Sequence, residues 1–484
     1  MRPRHLLVLS FAFLPIVPSA CSDSAASVGA DSTDQVDNSD SAIGDPAAQL
    51  TDEAGVPLDC AQPQNGPFPH NATVADEAWT ADESPHRIEF DTVVNGTVTI
   101  APCATVTIAT GRTLTLGPKG KIIARGSARQ PISFNALGSG AYAGIRGTGA
   151  ASLDLAYVTF HGGGDPGTRS ADLAGTIELG GDASKAAQPL LAVDHVLVEG
   201  SKSNGIVLTN SAGFATTSTA LTVTGAAQFP VSIGSRAAGT VPPGIYTGNG
   251  IDRIALAATG GNEGILEDTT LHALGVPYRV GTASTAGTLV VGGGTSLATL
   301  TIEAGVTLEI KKGGVVSVDA TPGATGATGA TGALVAVGTA SLPIVFTSAE
   351  ATPAAGDWLG IWFGKTPAPT SRIDHAEVRF AGGTSTTDGE ACNTPPVGKK
   401  NDAAIRIFGL PATQFVTNTA IVSSDANGVD RGWSNDLGDA GADAAATSPS
   451  FLPTNAFRAI ARCTETYPQQ ADAGCPAIVP CPTP

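Results

Sequence analysis

The 484-residue sequence predicts an all-β solenoid, a parallel β-helix built from a duplicated module. Composition is the first observation behind this. The chain is 42% hydrophobic, 14% charged and only 5% aromatic. Its apolar residues are mostly Val, Ile, Leu and Ala, a mix that favours pleated strands over helices. The second observation is periodicity. Apolar pairs at i and i+2, such as Val106/Ile108, Leu114/Leu116, Ile132/Phe134 and Val158/Phe160, are separated by Gly, Asn, Asp or Pro. A period of two is a strand. Third, whole phrases recur: "PISFNALGSGAYAGIRG" from Pro131 returns as "PIVFTSAEATPAAGDWLGIWF" from Pro343.

Taken from the N-terminus, residues 1–20 read as a secretory signal: Arg2 and Arg4, an apolar run from Leu6 to Val17, then small residues before Cys21. The run is too short to span a bilayer. Small residues ahead of a cysteine resemble the lipobox of bacterial lipoproteins, with Pro18 where that pattern usually has Leu. The resemblance implies that Cys21 is lipidated after cleavage and that Ser22 permits export to the outer membrane. Residues 21–59 are rich in Ser, Ala, Asp and Gly, and are expected to form a disordered tether. Thirteen acids face only Arg2 and Arg4 in the first 86 residues, so that region holds −11 of the net −17 and the rest of the chain −6. No basic patch remains for nucleic acid.

Residues 60–283 form a first module with its connecting segment, 284–462 a second, and 463–484 a Cys- and Pro-rich tail. The correspondences are Val106 with Leu300 (offset 194), Pro131 with Pro343 (212), Ala156 with Ala376 (220) and Asn204 with Asn427 (223). Growing offsets mean one order of elements with insertions in the second copy. Short strands returning every two dozen or so residues suit coils stacked about 4.8 Å apart. Asn-Gly at 204, 249 and 427 is expected to supply left-handed corners. "TPGATGATGATGA" from Thr321 reads as an insertion loop, because four triplets within one coil make no triple helix.

The phrases "LTIEAGVTLEI", "VGTASLPIVFTS", "GDWLGIWF" and "IDHAEVRFAGG", with "NGIDRIALAATGG" and "LGVPYRVGT" between the copies, resemble bacterial surface lipoproteins with right-handed parallel β-helix, pectin-lyase-like repeats. The resemblance spans Gly96 to Val429. It implies an exported, lipid-anchored envelope protein, on the outer membrane or cell surface, whose partners are the bilayer and a surface polysaccharide. Folds of this class also include polysaccharide lyases and glycoside hydrolases.

Six cysteines remain beside Cys21: Cys60, Cys103, Cys392, Cys463, Cys475 and Cys481. An even number in an exported chain reads as disulfides, with fifteen connectivities open. Proximity suggests Cys60 with Cys103, Cys392 with Cys463 and Cys475 with Cys481.

Glycan cleavage needs paired acids, or an acid with a cationic base, on an outward face. Asp374, His375 and Arg379 are the catalytic candidates, beside Glu377. Asp154, at the position matched to Asp374, is followed by Leu155, so no duplicated Asp-His site is expected. Trp358 and Trp362, at i and i+4 of a strand, are expected to project outward as a sugar-stacking platform. Asp436, Asp439 and Asp443 crowd one loop and are the candidate calcium ligands, although "DANGVDRG" fails the EF-hand pattern at Val429 and Asp430. Calcium is the only cofactor this suggests. The "GKT" at Gly364 is no nucleotide loop, since Leu359 stands where the first Gly belongs. The reading that results is a non-enzymatic anchored protein that binds surface polysaccharide or serves adhesion or structure. Its alternative is a lyase or glycosidase working on the outer face of the second module.

Overall fold

A computed structural model describes residues 59–257, 264–319, 330–385, 402–431, 433–434, 448–466 and 469–470. Regular structure among them is almost entirely strand, broken by short 3₁₀ turns at Ala171–Leu173 and Ser235–Thr240. The strands join into sheets of twelve, fourteen, five and five, with a two-stranded pair near the C-terminus. Within the fourteen-stranded sheet every pairing is parallel, from Thr73–Val74 to Ala456–Ile460. This is the expected parallel β-helix.

Its core is a set of inward ladders. One runs from Leu114 through Ile145, Ile177, Ile206, Val231, Ile254, Tyr278, Leu308, Phe346 and Val378 to Ile421, each in register with the next. All are buried. A side chain of this size contributes about 1.5–3 kcal/mol when fully withdrawn from water. The period-two pattern put them there.

The recurring phrases fall on different faces of the β-helix. Ile132–Leu137 lies in the twelve-stranded sheet, while its repeat Ile344–Ser348 lies in the fourteen-stranded one. Gly144–Thr148 lies in the fourteen-stranded sheet and its repeat Ile361–Phe363 in a five-stranded one. The second copy is therefore turned around the solenoid by one face, and one sheet runs through both modules.

Pairing also corrects the sequence alignment. Phe134 faces Val106 and Phe346 faces Leu308, so the counterpart of Val106 is Leu308, at offset 202, not Leu300. The step to 212 is then ten residues, and it falls across the Gly-rich run, whose residues 321–329 lie outside the described ones. Ile132 faces Val158 and Ile344 faces Ala376, so Ala376 matches Val158 at offset 218, not Ala156. A slip of two leaves every side chain on its own face, which is why alternation alone did not detect it.

The Asn-Gly corners are a second correction. None of Asn204, Asn249 and Asn427 has positive φ. Instead their side chains bond backbone: Asn204 Nδ2 donates to Ala174 O at 2.9 Å, Asn249 Nδ2 to Val223 O at 3.0 Å and Asn427 Nδ2 to Asp402 O at 3.1 Å. Left-handed corners fall at Tyr157 (φ 50°), His195 (51°), His375 (48°) and Asn418 (47°).

Candidate functional site

The tryptophans form no platform. Trp358 is 0% and Trp362 4% exposed. Gly360, at φ 128°, lies between them and breaks the strand alternation on which the i, i+4 argument rested; a Cβ there would meet Ala403 O at 2.4 Å. Trp358 turns inward and donates Nε1–H to Arg379 O at 2.8 Å. Trp362 faces out from its sheet, yet the Arg406 guanidinium covers its ring at 5.3 Å. Their counterparts in the first module, 216 residues earlier, are buried Tyr142 and outward Arg146.

Asp374 and His375 stand at a strand corner. The carboxylate accepts from Thr417 Oγ1 and Asn418 Nδ2, each at 2.9 Å, and from Arg372 Nη2 at 2.6 Å. His375 Nδ1 is 3.2 Å from Asp374 Oδ1. Burial pushes this carboxyl up, but the bonds from Asn418, Thr417 and Arg372 outweigh it and hold it below the ordinary carboxylate range. Arg379 is held by its own strand neighbour Glu377. In the corrected register the counterpart of His375 is Tyr157, on which His195 stacks at 4.5 Å with Asp194 2.7 Å from its Nδ1. Asp194-His195 thus stands one coil beyond the counterpart of Asp374-His375, which is Ala156-Tyr157, so the Asp-His site is not duplicated. At the second module's corner the carboxylate is taken up by Thr417, Asn418 and Arg372.

Asp436, Asp439 and Asp443 lie outside the described residues, as do Cys21, Cys392, Cys475 and Cys481. No group of three metal-binding side chains occurs among the described residues. Cys60 and Cys103 form the expected disulfide. Cys463 is disulfide-bonded.

The site that sequence reasoning missed is on the outer face of the fourteen-stranded sheet, in the first module. A groove of about 470 Å³ is lined by Thr115, Arg146, Thr148, Glu178, Val207 and Thr209 from four successive strands. Arg169 and Leu173 complete it from the loop at 162–174. That loop folds close to the coil: at Gly164, with φ 76°, a Cβ would meet Ser201 Oγ at 2.0 Å. Asp172 ties it down by accepting from Thr282 Oγ1 at 2.7 Å and from Ser284 Oγ.

Within the groove Glu178 is saturated. Arg169 donates to both its oxygens, at 2.9 and 2.8 Å, and the Gly175 amide donates at 3.0 Å. Arg146 Nε lies 3.1 Å from the same carboxylate and Arg146 Nη2 reaches Ala143 O at 3.3 Å. Two guanidiniums against one carboxylate leave the groove positive within an acidic chain. Arg146, with its side chain 25% exposed, keeps donors for a ligand. Three threonine hydroxyls add neutral donors and acceptors. The arrangement suits an oxygen-rich ligand and offers no spare carboxylate for proton transfer.

Residues 284–391 match the family described as a pectate-lyase-like beta helix domain. No curated protein and no solved structure matches the chain. No helix among the described residues is long and apolar enough to cross a membrane.

Proposed function

We propose that this chain is a lipid-anchored envelope protein that binds surface polysaccharide along the first module's groove and does not cleave it. The groove carries the reading: its one carboxylate, Glu178, is held by Arg169, the Gly175 amide and Arg146, whereas the part-exposed Arg146 guanidinium and three threonines line the open face. Extended grooves of this polarity bind sugars through hydroxyl and carboxylate contacts without needing proton transfer. Anchoring rests on the signal-like N-terminus and Cys21, with the acidic segment behind it as a tether. The lyase or hydrolase alternative has Asp374 and Arg379 already engaged by neighbours, which speaks against it.

The test is affinity electrophoresis of the full chain through gels holding neutral or acidic polysaccharides, with reducing ends assayed in parallel. Retardation that falls about tenfold in Arg146→Ala, with no new reducing ends, is expected. Reducing ends that disappear in His375→Ala would establish the enzyme instead. Equal retardation of wild type and Arg146→Ala would remove the groove from the account.

A further inference from the structure

We infer that His70 and His86 form an acid-sensitive latch that holds the N-terminal coil onto the β-helix. The inward ladder of the twelve-stranded sheet runs Phe160, Phe134, Val106 and then, at its N-terminal end, His86. A histidine there is buried completely, and His70, just beyond the Phe68–Pro69 strand, is 6% exposed. The rings lie against each other: His70 Nε2 is 3.0 Å from His86 Nδ1. Trp79 covers both, its ring 4.2 Å from His70 and 5.4 Å from His86.

Hydrogen positions follow from the two ends of this chain of contacts. His86 Nε2 is 2.8 Å from Thr80 O, a carbonyl that only accepts, so Nε2 carries hydrogen. His86 Nδ1 then accepts from His70 Nε2–H in the neutral pair. His70 Nδ1 faces Glu77 Oε2 at 3.1 Å, and a single added proton completes that link too. Glu77 Oε2 also accepts from Trp79 Nε1 at 2.9 Å. A second proton has no acceptor. It sets N–H against N–H across 3.0 Å and places two positive rings together in the core.

The charged neighbours are few. Glu77 faces the pair from its own strand and Glu83 from the turn before His86. Arg87 points to the opposite face, 3.9 Å from Glu89. The next coil contributes Val106, which carries no charge. Burial, and for His70 the charge of His86, lowers both histidines below the ordinary range. The opened coil therefore binds more protons than the closed one. The latch holds above the ordinary histidine pKa of about 6.5 and weakens as pH falls below it.

Hydrogen exchange on the full chain tests this. Between about pH 7 and pH 5, amides of residues 68–88 are expected to lose about tenfold protection, after correction for intrinsic rates, while residues 113–148 keep theirs. His86→Leu, which continues the apolar ladder, is expected to abolish the difference. Equal protection at both pH values, or an undiminished loss in His86→Leu, overturns the proposal. Should His86→Leu fail to fold, His70→Gln and ¹⁵N-histidine spectra of the wild type decide it. Two rings that titrate independently near pH 6.5 would likewise overturn it.

Discussion

Arg169 grips Glu178 with both arms of its guanidinium, Nη1 2.9 Å from Oε1 and Nη2 2.8 Å from Oε2. The pair joins a loop to a strand and keeps the groove's only carboxylate occupied. Arg169→Ala leaves a mostly buried Glu178 with the Gly175 amide and Arg146, and frees Leu173 O from its bond to Arg169. The expected result is a loss of about 1–3 kcal/mol in urea unfolding. Polysaccharide retardation should weaken as well, because Arg146 is drawn onto the uncovered carboxylate. Glu178→Gln should act in the opposite sense on acidic polysaccharides, releasing both arginines, and the same gels measure it.

Trp358 is a core residue, and its truncation should be read in stability. Trp358→Ala removes a fully buried ring and leaves Arg379 O without its donor. A cost of about 3–5 kcal/mol is expected, seen as a lower denaturation midpoint. Binding by the folded fraction should be unchanged. Reduced affinity at full folding would restore the tryptophan to a ligand site.

How far the sequence could be read follows from these residues. Ladder residues such as Ile145 and Leu308 were legible because alternation and apolar type determine which face a side chain takes. Phase was not: coils resemble one another, so Leu300 passed for the counterpart of Val106 that pairing shows to be Leu308. Trp358 was misplaced by one glycine, since only the φ of Gly360 reveals the turn between strand and corner. The groove had no local signature at all. Arg146, Arg169 and Glu178 come from two strands and a loop, and only coil stacking makes them neighbours. Asp-His at 374–375 invited a catalytic reading because the dipeptide carries chemistry, whereas its corner conformation explains it.

Acid stability should depend on Asp374. Its folded carboxyl titrates below the ordinary value of about 3.9, so its contribution is complete above that pH and is lost as pH falls through the lowered folded value. Thr417→Val deletes one of the donors that hold it ionised. The acid-unfolding midpoint should move upward, with about 1 kcal/mol lost at neutral pH. An unmoved midpoint in circular dichroism would show that Asn418 and Arg372 suffice.

Anchoring makes a separate prediction at Cys21. Cells fed a labelled fatty acid should incorporate it into the wild-type chain, and Cys21→Ser should abolish the label and release the protein from the membrane fraction. A single acyl chain binds membranes only marginally, so stable retention requires the multiple chains of a processed lipoprotein. Unlabelled wild type that still sediments with membranes would point to retention through the folded body.

The disulfide Cys60–Cys103 closes 43 residues and encloses the latch, since His70, Glu77, Trp79 and His86 all lie between its cysteines. Chain entropy assigns such a loop about 4 kcal/mol against the unfolded state. The bond and the histidines restrain one coil by different means, covalent and protonic. Cys60→Ser with Cys103→Ser should therefore lower the thermal midpoint at every pH and also steepen its fall below about pH 6.5, because the opened coil is no longer tethered at its start. Should the two effects simply add, with the same pH slope in the wild type and the double variant, the disulfide and the latch would be independent. A steeper slope means that the covalent link limits how far acid can peel the N-terminal coil from the core.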